Sequence, residues 1–98
     1  MSAARTTRSA GRLLTASHAR SSFDLYALDL EEGAVRHADP HHAGVVEHLV
    51  VVTGRLRAGP HTEPVLLEKG DLVTFGADVP HVYEALETAH CVLLMAYP

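Results

Sequence analysis

The sequence predicts an all-β fold, a small single-domain jelly-roll barrel, and three observations carry that reading. From Phe23 onward the chain breaks into about eight short apolar runs, each closed by a turn signal after roughly 6–12 residues. None of these runs sustains the 3.6-residue period of an amphipathic helix. With 98 residues, 47% hydrophobic and 20% charged, the chain has the composition of one folded domain rather than of a disordered segment. Eight strands in so short a chain favour closure, because a rolled sheet hides most of its edges.

Phe23-Asp24-Leu25-Tyr26-Ala27-Leu28-Asp29-Leu30 alternates as a strand and ends at Glu31-Glu32-Gly33, a turn. Ala34 to Ala38 forms a second strand, stopped by Pro40. Residues 45–52 are β-branched and strongly apolar, and Thr53-Gly54 turns them. Arg55 to Ala58 is a short strand that Gly59-Pro60 is expected to break. Pro64 to Glu68, Leu72 to Phe75 and His81 to Ala85 follow, separated by turns at Lys69-Gly70-Asp71 and Gly76-Ala77-Asp78. Residues 89–97 make a long apolar strand.

Charge divides the chain near Phe23. Residues 1–22 carry Arg5, Arg8, Arg12 and Arg20 with no acid, whereas residues 23–98 hold all 12 acids against Arg36, Arg55, Arg57 and Lys69. Residues 1–22 are expected to form a flexible basic segment, with the part near Gly11 to Leu14 docking as an edge strand or a short helical turn. Residues 23–98 are expected to be the barrel domain. The net charge of -4 argues against a globally basic nucleic-acid binder. No run of apolar residues reaches the length of a membrane-spanning helix, so no membrane partner is expected. A single cysteine, Cys91, excludes an internal disulfide framework and a Cys-rich zinc module, and fits a cytoplasmic setting.

Histidine is the compositional anomaly, with eight present. It is the usual metal ligand and proton carrier near neutral pH, and position decides which of the eight matter. Alternation puts Glu47, Leu49 and Val51 on one strand face, and His81, Tyr83 and Ala85 on another. A carboxylate turned into an apolar interior is costly unless paired or metal-bound. Glu47 therefore needs a partner, and His81 is a candidate. Phe75 and Tyr83 are expected to line the interior, with the Tyr83 hydroxyl seeking a partner.

Two segments then combine: Pro40-His41-His42-Ala43-Gly44-Val45-Val46-Glu47 with Gly54, and Gly70-Asp71 with Phe75-Gly76-Ala77-Asp78-Val79-Pro80-His81 and Tyr83. Their spacing resembles the cupin superfamily. Its first motif is a His-x-His pair followed by Glu and then Gly, and its second runs from Gly through Pro-x-Gly to His. Glu47, Gly54, Gly70 and His81 match. Gly76 stands in place of the motif's Pro, and Asp78 in place of its second Gly. Counting back from Glu47 puts the His pair on His41 and Ala43, or on Pro40 and His42, so one first-motif histidine is absent. The resemblance implies a divalent metal, Fe, Mn, Ni or Zn, held by Glu47, His81 and either His41 or His42.

The strings around Glu47 and His81, with the terminal Leu-Leu-Met-Ala-Tyr-Pro, further resemble the cupin domains of helix-turn-helix regulators of the xenobiotic-response-element type. That resemblance implies a module that captures a small-molecule ligand. A homodimer formed through a sheet edge is the expected protein partner. Residues 1–22 are too short for a helix-turn-helix, so no sequence-specific nucleic-acid binding by this chain is expected. The alternative is a metal-dependent enzyme, of isomerase or dioxygenase type, using two histidines and one carboxylate.

Overall fold

The computed structural model describes residues 8–18 and 22–98. All regular structure among them is β: β1 (Ser9–His18), β2 (Ser22–Leu30), β3 (Val35–Ala38), β4 (Val46–Thr53), β5 (Arg55–Pro60), β6 (Val65–Glu68), β7 (Leu72–Gly76), β8 (His81–Ala85) and β9 (Ala89–Ala96). Two antiparallel sheets result, one ordered β1, β2, β9, β4, β7 and the other β3, β8, β5, β6. The eight expected runs correspond to β2 through β9.

Two boundaries differ from the sequence reading. The basic segment up to residue 22 is in part sheet. Ser9–His18 pairs antiparallel with β2 along its length, with a bulge that leaves Leu14 unpaired. β2 offers an open row of backbone donors and acceptors, and an edge strand satisfies them without apolar side chains of its own. The edge strand expected near Gly11 to Leu14 thus extends over Ser9–His18. Residues 1–7 and 19–21, which share the expectation of flexibility, lie outside the described residues. Second, β5 runs through Gly59-Pro60 instead of stopping before it. Pro60 is the last residue of β5 and lies beyond the final β5–β6 pair, Ala58 with Val65, so its missing N–H interrupts no pairing with β6.

The core lies between the sheets. β4 is internal to the larger sheet, paired with both β9 and β7, and every second residue from Glu47 to Val51 is fully buried. On β9, Cys91, Leu93 and Met95 face the same interior, while β8 contributes Tyr83 and Ala85. Burial lifts the Cys91 thiol to about 12, so it stays protonated, as an apolar residue would. β8 enters the smaller sheet between β3 and β5, which sets His81 and Tyr83 opposite Glu47.

Gly54 ties the two sheets at their turn. Its φ is +88°, and a Cβ there would collide with the Thr88 carbonyl oxygen and stand 2.7 Å from the Ala89 Cα. Both obstacles are backbone, so neither can swing aside. Gly70 has the same φ of +88°, but no atom within 4 Å of such a Cβ. Gly70→Ala should therefore cost only the backbone term, about 1–2 kcal/mol. Gly54→Ala should cost at least about 2 kcal/mol more than that. Urea unfolding of the two variants side by side checks this.

Candidate metal centre

Three elements bring the site together. Glu47 comes from β4, and His81 and Tyr83 from β8. His41 comes from the loop between β3 and β4. That loop is pinned to the one preceding β8: the His41 N–H donates to the Ala77 carbonyl at 2.9 Å, and the Ala77 N–H to Val45 at 2.8 Å. Asp78, where the sequence departs from the family's glycine, accepts the Gly44 N–H at 3.3 Å. The same loop leaves His42 exposed, its carbonyl accepting the Val45 N–H across the Gly44 turn. Of the two candidate histidines, then, His41 reaches the interior and His42 does not.

Glu47 and His81 are the buried polar side chains of the described core, 0% and 1% exposed. Each Glu47 oxygen has its own surroundings. Oε1 accepts the Tyr83 hydroxyl. Oε2 lies 3.1 Å from His81 Nε2 and 3.2 Å from His41 Nε2. Burial, then the Glu47 charge, then this hydrogen bond push the Tyr83 hydroxyl far above its ordinary range, so it remains a donor.

The His81 tautomer follows from its other nitrogen. Nδ1 lies 2.7 Å from the Val79 carbonyl oxygen, which can only accept, so Nδ1 carries the proton. In the neutral ring Nε2 then presents a lone pair to a carboxylate oxygen. Neither Glu47 Oε2 nor His81 Nε2 has a hydrogen-bond partner, although both are buried. Two facing lone pairs repel, and either a second proton on the imidazole or a cation between them removes the conflict.

The donor set fits a divalent ion. The ligand atoms of His41, Glu47 and His81 all lie within 4.8 Å of one another. The separations around Oε2, 3.1 and 3.2 Å, are short enough for all three residues to share one ion. Imidazole nitrogen with carboxylate oxygen suits Zn, Fe, Ni or Mn.

Beside the three donors lies a cavity of about 250 Å³, lined by Tyr83, Tyr26, Arg36, Gly11 and the apolar Leu28, Ala38, Leu93 and Met95. Phe75 is not part of that lining. It packs on the His81 ring, with centroids 5.6 Å apart. Sequence reasoning missed Arg36 and Tyr26, although a signal was present. Arg36 shares strand parity with Ala34 and Ala38, and Tyr26 with the buried Leu28 and Leu30.

The cupin-domain family model matches residues 27–97, from β2 to the end of the last strand. The chain belongs to the cupin family. This cupin is 36% identical over 78 residues to the HTH-type transcriptional regulator SutR of Escherichia coli, an alignment covering 78% of this chain and 44% of SutR. A solved cupin domain of an XRE-family transcriptional regulator from Enterobacter cloacae superposes with a TM-score of 0.83 at 32% identity, covering 92% of this chain and 97% of that one. An HTH_3-family transcriptional regulator from Vibrio cholerae gives 0.86 at 25% identity, covering 92% of this chain and 51% of that one. The cupin thus spans about half the length of two of these three relatives. Among its described residues, no helix is long and apolar enough to cross a membrane.

Tyr83→Phe removes the donor from Glu47 Oε1 and leaves a buried carboxylate oxygen bare. A loss of about 2–3 kcal/mol is expected in the metal-free protein, and chemical denaturation of the two forms in chelator measures it.

Proposed function

We propose that this cupin is a small-molecule-binding module of the kind found in helix-turn-helix regulators, with a divalent metal held by His41, Glu47 and His81 at the inner end of its cavity. One observation carries the reading: His81 Nε2 and Glu47 Oε2 are buried, unpartnered and aimed at each other beside an open cavity. Apolar pockets with a few convergent polar groups are the usual form of ligand sites. The likeness to the regulators supports the sensory side of the reading.

Each residue of the site has a part in it. His81, fixed in one tautomer by Val79, and His41, held by the Ala77 carbonyl, offer imidazole nitrogens. Tyr83 holds the Glu47 carboxylate so that Oε2 points at both. Leu28, Leu93 and Met95 keep that side of the cavity apolar and strengthen the electrostatics within it. A bound divalent ion would supply Lewis acidity and positions open to an exogenous ligand.

Those open positions favour a second reading. Two histidines and one carboxylate also serve metal-dependent oxygenases, so this chain is alternatively an enzyme acting on the molecule it captures.

The test is equilibrium dialysis against Zn²⁺, Co²⁺, Ni²⁺ and Mn²⁺, followed by elemental analysis. The protein should retain one ion per chain, and Glu47→Gln should lower affinity at least about tenfold. Retention unchanged in Glu47→Gln, or none in the unsubstituted protein, would remove the metal from the account.

A further inference from the structure

We propose that the cavity selects small carboxylates with an apolar body, and that Arg36 binds the carboxylate end. The proposal rests on the reading of the cavity as a ligand site.

Arg36 is on β3, paired across the ladder with Tyr83. Its guanidinium lies against Gly11 of β1: a Cβ on Gly11 would stand 3.6 Å from Nη1 and 3.8 Å from Nη2. The group therefore rests on a stretch of β1 that has no side chain. It shares the cavity lining with His41, Glu47 and His81, and its positive charge is felt at the Tyr83 hydroxyl.

Among the described residues Arg36 lacks an anion, as do Arg8, Arg12 and Lys69 on the surface, but of these four only Arg36 lines the cavity. Arg55 faces Glu68 and Glu87, and Arg57 faces Glu84, all through ion pairs of 3.1–3.6 Å. Arg36 has no carboxylate within 4.0 Å among the described residues. Residues 1–7 and 19–21 contain no Asp or Glu, so none can come from them. Glu47, the acid in the same lining, is already engaged by Tyr83 at Oε1 and faces both histidines at Oε2.

A guanidinium presents a planar fork that matches a carboxylate bidentately. Leu28, Leu93 and Met95 in the same lining suit an apolar body. With a divalent ion at the inner end, the ion and Arg36 together outweigh the charge of Glu47, so an anion is drawn in and a cation is repelled. A neutral ligand would leave the fork to water.

The test titrates the full chain, loaded with Co²⁺, with propionate, butyrate and benzoate, and with the amide of each. Heat of binding and the visible absorption of cobalt are followed. At least one acid should bind about tenfold or more tighter than its amide. Arg36→Ala should abolish that preference while cobalt stoichiometry and the unfolding midpoint stay unchanged, and Arg36→Lys should keep part of it. Equal binding of acid and amide, a preference unaltered by Arg36→Ala, or no binding of any of the three acids would overturn the proposal. If the chain takes up no cobalt, the metal reading falls separately. The same titration of the metal-free protein then decides on Arg36, with the preference and its loss in Arg36→Ala still the expected result.

Discussion

A carboxylate sealed from water must find donors or positive charge, and the interior of this barrel is arranged around how Glu47 meets that demand. Tyr83 satisfies one oxygen. The other is set against the nitrogen of a histidine whose proton is committed elsewhere, to the Val79 carbonyl. Left so, the pair would be a standing electrostatic cost in the middle of an apolar core. Apolar residues of similar volume would fill the same space at no such cost, so the arrangement makes physical sense as a place for a cation.

The sheets exist in the form that this contact needs. β4 is gripped on both edges, by β7 and β9, which fixes its register and hence the inward direction of Glu47. β8 is gripped by β3 and β5, which does the same for His81 and Tyr83. The loop carrying His41 has no sheet to hold it. It is held instead by backbone hydrogen bonds to the loop that leads into His81. Two of the three residues therefore sit on strands held at both edges and the third on a loop tied by backbone hydrogen bonds, so His41 is the one whose position the sheets fix least.

Most of this could be read from the sequence because alternation is a two-residue code. Once 45–52 and 81–85 are strands, the parity of Glu47, His81 and Tyr83 follows, and only inward placement makes a lone acid in an apolar run intelligible. The choice between His41 and His42 could not be read. It depends on the Gly44 turn and on Ala77, a residue distant in sequence whose carbonyl takes the His41 N–H. The edge strand near Gly11 to Leu14 is legible, but its full length, Ser9–His18, is not: it is held by backbone pairing to β2, and that leaves little trace in side-chain pattern. Arg36 is exposed, and a charged residue in a short polar strand reads only as a solvated one. Its parity with Ala34 and Ala38 was the clue.

Crystals grown in the presence of Zn²⁺ and measured on both sides of the zinc absorption edge test the central claim most directly. The account predicts a single strong anomalous peak about 2.0–2.2 Å from Glu47 Oε2, His41 Nε2 and His81 Nε2. An interior without such a peak, with a protonated His81 nitrogen donating to Glu47, would contradict it.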